Sequence, residues 1–180
     1  ADMGSMLFSV ASPDRQALMG AWAQLLSARY GITASVHGGK TNACEPGFQA
    51  GMEKMQSVLF PLLCGASGIG TVGQVENLMA FSPTQIVLDA ELVRSVRRLF
   101  AGFEVNEDTL AVELIEKVGP GGNFIAEPHT TEHFRDEFWI GGLSRCLSWE
   151  SYSRGRIRSM EERASEMARE IMSRPLEPVL

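Results

Sequence analysis

His129, Glu132 and His133 stand in the order H-x-x-E-H within GPGGNFIAEPHTTEHFRDEFW. Two histidines four residues apart ligate one zinc ion when both lie on one face of a helix, with the glutamate serving as general base of a hydrolase. The neighbouring residues argue against that chemistry. Pro128 directly precedes His129, and the residue before a proline is pushed out of the helical region, so no helix runs through from upstream. Thr130 reads as an N-cap, with Glu132 in the first turn where the helix dipole favours an anion. His129 then stands outside the helix and His133 inside it, and no metal site is expected. Phe134, Phe138 and Trp139 are expected to pack inward. The remaining histidine, His37, has no fixed spacing to this pair.

The elements that must position such groups are legible upstream. SMLFSVA, 5–11, reads as a short buried strand. Ser12-Pro13 opens a helix, with Ser12 as N-cap and Pro13 at the first helical position. Its apolar face is Leu18, Ala21, Trp22, Leu25 and Tyr30, and Gly31 ends it. ITASVH, 32–37, reads as a strand running into the loop GGKTNACEPG. Phe48, Met52, Met55, Leu59 and Leu62 form a helical stripe expected to face the core. CGASGIGTVGQVE reads as a buried strand and the loop leaving it. Ser82-Pro83-Thr84-Gln85 has capping-box form and opens a helix to about Phe100, with Ile86, Ala90, Val93, Val96 and Phe100 inward. Asn106 caps a helix that Gly119-Pro120 stops. A final helix near 154–173 places Ile157, Met160, Ala164, Met167 and Ile171 on one side. Strands alternating with amphipathic helices imply α/β architecture with a parallel sheet, in one domain over 1–180.

Composition narrows the partners. A net charge of −6 argues against nonspecific binding to nucleic acid or anionic membrane, both of which need basic surface. No run approaches the roughly 18 apolar residues of a membrane helix, and ADMGSMLFSV lacks the basic region of a signal peptide. Cys44, Cys64 and Cys146 are odd in number and far apart, which fits a reducing, cytoplasmic setting better than a disulfide framework.

GPGGNFIAEPHTTEHFRDEFW closely resembles the stretch near the C-terminus of the trimethylamine:corrinoid methyltransferase family, which carries GPGG and then a PHT…HFR-EFW block. Further segments match in the same order. ADMGSMLFSVASPD resembles the family's DM-rich strand and SPE helix start. SVHGGKTNACEPGFQAGMEK resembles its glycine-rich loop and QAG-Y-EK helix. LLCGASGIGTVGQVEN resembles its LLSGAN…GLEGG segment, and VLDAELVRSVRRLFAGFEV its VLD-E…R-L-GIEV helix. The likeness is collinear over roughly residues 1–155. It implies the C-terminal part of a (β/α)8 barrel with a helical C-terminal end, because a whole barrel needs about 250 residues. It also implies that the HTTEH region is used without zinc.

The resemblance further implies transfer of a methyl group from a methylated amine to the cobalt(I) of a corrinoid carried on a separate protein. No pyrrolysine is evident, so the branch acting on quaternary amines such as glycine betaine is expected. A quaternary ammonium has no proton to donate and is held by charge and aromatic faces. A betaine carboxylate is held by a cation or backbone N–H groups. Barrel sites lie beyond the carboxyl ends of strands, which points to the loop after ITASVH and the turn at 73–77. Glu76, matching the family's GLEGG acid, and His37 are the catalytic candidates; the alternatives are a helix-start acid and a core histidine. Asn42, Lys40, Gln49 and Gln74 are the substrate-binding candidates. Lys40 alternatively reads as an exposed loop lysine, and Gln49 as a cap. Where relatives show T-D-S-K, this chain has Thr41, Asn42, Ala43 and Cys44. Gly70 stands where relatives carry a histidine. His129, His133 and Trp139 are expected to dock the corrinoid protein, since polar-plus-aromatic surfaces suit interfaces. A non-catalytic binding module is the second reading. The helix after Arg154 offers a surface for pairing with another subunit.

Overall fold

The computed structural model describes residues 9–155 and 157–175. Residues 5–8 of the expected first strand lie outside the described residues, and 9–11 are not strand. Helix α1, Pro13–Gln24, follows an extended Ser12 with proline in its first turn. It continues as a π-helical turn, Leu25–Arg29, and Gly31 ends it at φ +63°. Strand β1 is Ser35–Val36. Helix α2 spans Phe48–Leu63, and strand β2 is Gly68–Ile69. The pair β1–β2 is parallel, with Ser35 opposite Gly68 and Val36 opposite Ile69. This is the β-α-β order expected from the alternating pattern, with α2 as the crossover.

An antiparallel pair follows that sequence reading missed, β3 (Gln74–Val75) with β4 (Ala80–Phe81). Helix α3, Pro83–Ala101, starts at Ser82, whose hydroxyl accepts from the Gln85 N–H. The full capping box does not form, because the Gln85 side chain turns instead to Asp89. The helix capped by Asn106 is broken at Ala111 (φ +48°) into α4, Glu107–Leu110, and α5, Val112–Val118. Helix α6 is Pro128–Glu137. A short helix α7, Trp149–Arg154, precedes the expected final helix, which starts later than expected: α8 is Met160–Ser173, which Ser159 and Glu162 cap reciprocally, so Ile157 lies outside it. The chain is thus mixed α/β and mostly helical, with two small sheets among the described residues.

Two apolar clusters form the core. Ala23, Ala34, Val36 and Ala66 pack with Leu26, Leu62, Cys64 and Ile69. Val87, Leu143, Ala164 and Ala168 pack with Leu88 and Met160, joining α3 to α8. The faces differ from the apolar stripes. In α1 the buried residues are Gln16, Gly20 and Ala23, whereas Leu18, Trp22, Leu25 and Tyr30 are exposed. Helix α1 meets α2 at close range: a Cβ on Gly20 would fall 2.4 Å from the Phe60 ring. Only small residues permit that approach, so the bulky stripe turns outward. In α2 the buried face is Ala50, Glu53, Lys54, Ser57, Val58 and Pro61, and Phe48 is 87% exposed. In α3, Val96 is buried as expected, but Gln85, Asp89 and Glu91 are buried while Ile86, Ala90 and Phe100 are exposed. Phe134, Phe138 and Trp139 do not pack inward either; each is at least 39% exposed.

Candidate functional site

Because β1 and β2 are parallel, the loops that follow them leave the same edge of the sheet. Two glycines let the first loop start. A Cβ on Gly38 would meet Ser57 O at 2.5 Å, and one on Gly39 (φ +73°) would meet Thr71 O at 2.2 Å. The loop after β1 is then bonded to the turn after β3. The Glu76 N–H donates to Ala43 O (2.7 Å), and the Asn77 N–H to Thr41 O (3.2 Å). To make this contact Glu76, Asn77 and Leu78 all adopt positive φ (51°, 54° and 76°). Such backbone is costly for residues other than glycine and persists where its surroundings enforce it.

The enforcing groups are buried and charged. Lys54 is fully buried; its Nζ donates to Gly39 O (2.6 Å) and to Asp89 Oδ2 (2.8 Å). Asp89 also accepts from the Gly73 N–H (2.6 Å) and from Gln85 Nε2 (2.7 Å). One ion pair between α2 and α3 therefore fixes both glycine loops by their backbones. Ser57 Oγ accepts from the Gly39 N–H (2.9 Å). Glu53 gathers the next residues: Oε2 accepts from Thr41 Oγ1 (2.6 Å) and the Asn42 N–H (2.7 Å), and Oε1 from Gln49 Nε2 (3.0 Å). Burial pushes the Glu53 carboxyl up, but hydrogen bonds from Thr41, Gln49 and Asn42 outweigh it and hold its pKa below the ordinary value.

The sequence candidates sit on this frame as follows. Lys40 is 6% exposed and is not an exposed loop lysine. Burial, and then the positive charge of Arg15, lower its pKa. Asn42 is half-buried; its Oδ1 accepts from the Val10 N–H and its Nδ2 donates to Ser9 Oγ (3.0 Å each). Gln74 is half-buried, with a buried Oε1 that has no hydrogen-bond partner. Glu76 is exposed. The structure thus joins the Lys40–Asn42 and Gln74–Glu76 segments through backbone hydrogen bonds, and ties Gln49 to them through Glu53. Gln49 is a second-position helix residue rather than the cap, which is Gly47. His37 is exposed at the end of β1, so it is not a core histidine. A cavity of 430 Å³ lies elsewhere, between α2, β2 and α3, where Val58, Leu62, Ile69, Val96 and Phe100 line it. It includes Lys54 and Asp89 but none of these candidate side chains.

Sequence reading missed Glu53, Lys54, Ser57, Gln85 and Asp89. The available signal was the EK within QAGMEK: two charges adjoining an apolar stripe whose burial only the packing reveals.

The family profile described as Trimethylamine methyltransferase (MTTB) matches residues 1–180. The chain belongs to the trimethylamine methyltransferase family. A glycine betaine methyltransferase of Desulfitobacterium hafniense is 29% identical over 180 residues, covering 99% of this chain and 37% of that protein. The trimethylamine methyltransferase MttB1 of Methanosarcina mazei is 40% identical over 123 residues, covering 68% of this chain and 25% of that protein. The trimethylamine methyltransferase MttB of Desulfitobacterium hafniense is 30% identical over 171 residues, 95% of this chain and 34% of that protein. The chain thus spans between a quarter and just over a third of the length of these relatives.

The docking candidates fall in two places. His129 and His133 are on α6, whereas Trp139 lines a 300 Å³ hollow with Glu91, Ser95 and Met160. The helix start differs from the sequence reading. Glu127, not Thr130, is the N-cap, and Pro128 is the first helical residue. The restriction imposed by Pro128 acts on Glu127, so both histidines fall within the helix and on one face. Their ring centroids are 4.3 Å apart.

Proposed function

We propose that this chain is the C-terminal part of a (β/α)8-barrel methyltransferase that moves a methyl group from a quaternary amine such as glycine betaine to the cobalt(I) of a corrinoid on a partner protein. The observation that carries this reading is the loop after β1 joined by backbone hydrogen bonds to the turn after β3, within a chain that matches the family along its length. Lys40 offers a cation to the carboxylate of a betaine. Glu76, on the joined turn, offers an anion to the ammonium end. Asn42, Gln49 and Gln74 supply polar contacts, and the unpartnered Gln74 Oε1 suits a ligand-facing acceptor. His37 and Glu76 are exposed, which fits a methyl acceptor approaching from outside on another protein. Reduced cobalt supplies the nucleophile when that partner is bound. The residues of this chain orient the methyl group and exclude water rather than transfer a proton. His129, His133 and Trp139 belong to the docking side of this proposal. A second reading is a module that binds amine without turnover.

The test is to mix the folded chain with cob(I)alamin and glycine betaine, carnitine, proline betaine or trimethylamine, and to follow the cob(I)alamin absorbance. Consumption with a quaternary amine, abolished in Glu76→Gln, is the expected result. Calorimetric binding of betaine without consumption would instead favour the binding module. Absence of both in this chain and in the full-length protein that contains it would overturn the two readings together.

A further inference from the structure

The HTTEH histidines acquire a third member from a distant turn. His133 Nε2 lies 3.1 Å from Asp108 Oδ2, and His129 Nε2 lies 3.8 Å from Asp108 Oδ1 and 2.9 Å from the Asp108 carbonyl oxygen. One ligand atom from each residue lies within 4.8 Å of the others. In a tetrahedral zinc site with bonds near 2.0–2.2 Å, neighbouring ligand atoms are about 3.3 Å apart. The observed separations straddle that spacing, so small side-chain rotations would close the set around one ion. We propose that Asp108, His129 and His133 form a binding site for a divalent transition-metal ion, with zinc as the representative.

Ligand chemistry selects the class. Two imidazoles and one carboxylate suit zinc and its neighbours, whereas magnesium and calcium take oxygen donors. Three protein ligands leave at least one position open. The setting supplies an independent reason for a clip. From Ala101 to Gly142 no described residue is buried, so α4, α5 and α6 share no core of their own. Among the described residues, polar contacts hold this segment together: Lys117 with Glu127 (2.7 Å), and Thr130 Oγ1 donating to Phe124 O (2.8 Å). Segments that cannot bury enough apolar surface gain order from metal crosslinks, because binding energy becomes folding energy. An ion at Asp108 and α6 would tie α4 to α6 across 21 residues of chain. The inference is one of binding and order, and it does not rest on methyl transfer.

The experiment titrates the 180-residue chain with Zn2+ alone by calorimetry, and with Co2+ by its visible absorption. Protease protection of the 101–142 segment is followed in parallel. One saturable site is expected. Asp108→Asn, which keeps the side-chain shape, and His133→Ala should each weaken it by at least tenfold. The metal should slow cleavage of the segment in the parent chain and not in the variants. These substitutions are at half-exposed or exposed positions, and circular dichroism will verify that the variants fold. Absence of saturable binding would overturn the proposal. So would affinity unchanged in both variants but lost on alkylating Cys44, Cys64 and Cys146.

Discussion

At the scale of single residues, charge burial sets the expectations. Lys54 is enclosed by Asp89 and Gly39 O, and removing one partner of a buried ion pair leaves the other uncompensated. Lys54→Met should cost about 3–5 kcal/mol in urea unfolding, and Asp89→Asn should also destabilise. Lys40 is opposite in sign. Its pKa is lowered by burial and by Arg15, so the folded chain sheds this proton more readily than the unfolded one does. Its positive charge therefore disfavours the fold below the folded pKa, and stability gains as pH rises from there toward the unfolded value. Lys40→Met should leave stability equal or improved. Its KM for a betaine should rise about 10- to 100-fold, the equivalent of a charge-assisted hydrogen bond of about 1.5–3 kcal/mol. Turnover kinetics and thermal unfolding of the same variant separate the two effects. A lysine that merely filled space would leave KM unmoved.

At the scale of elements, helices and their caps were legible, but the faces they bury were not. Ser12-Pro13, Ser82-Pro83 and Asn106 each mark a real start. The β-α-β order of β1, α2 and β2 followed from alternation alone. The stripes misled because α1 and α2 meet through Gly20, and because α2 spends its inner face on Glu53, Lys54 and Ser57. Periodicity detects an apolar side and has no means of announcing a buried salt bridge. The helix starting at Pro128 was misread for a different reason: the proline restricts Glu127 before it and itself takes the first helical position, so the helix begins two residues before Thr130. Of the site, the two loops and their polar residues were visible; the α2–α3 ion pair that shapes them was not. Glu91 shows what such hidden charges do for element packing. It is 1% exposed and accepts from the Leu143 and Ser144 N–H groups and from Arg94. Burial raises its pKa, but the hydrogen bonds from Ser144 and Leu143, then the charge of Arg94, bring it below the ordinary 4.5. Its stabilisation is thus full above the unfolded pKa and is lost as pH falls through the folded one. Glu91→Gln should flatten the acid limb of the stability profile from pH 4.5 downward and lower stability at pH 7. A limb as steep as that of the parent chain would contradict this.

At the scale of the molecule, apolar side chains are left in water. Leu18, Trp22, Leu25 and Tyr30 lie exposed on α1 and its π turn, and among the described residues no helix is long and apolar enough to cross a membrane. Replacing Leu18 and Trp22 by lysine should reduce ANS fluorescence while changing stability by no more than about 0.5 kcal/mol, as befits surface positions. A large loss of stability would show that this face is packed in solution. The inner frame has the reverse character. Lys54 and Asp89 grip the glycine loops by Gly39 O and Gly73 N, atoms that every amino acid carries. The side chains at 40, 42, 74 and 76 take no part in that grip. Holding a loop by its main chain uncouples its shape from its chemical vocabulary. On the proposed reading, ligand preference in such a protein can be rewritten at Lys40, Gln74 and Glu76 while the scaffold stays as it is, whereas Asn42 also ties the loop to Ser9 and Val10.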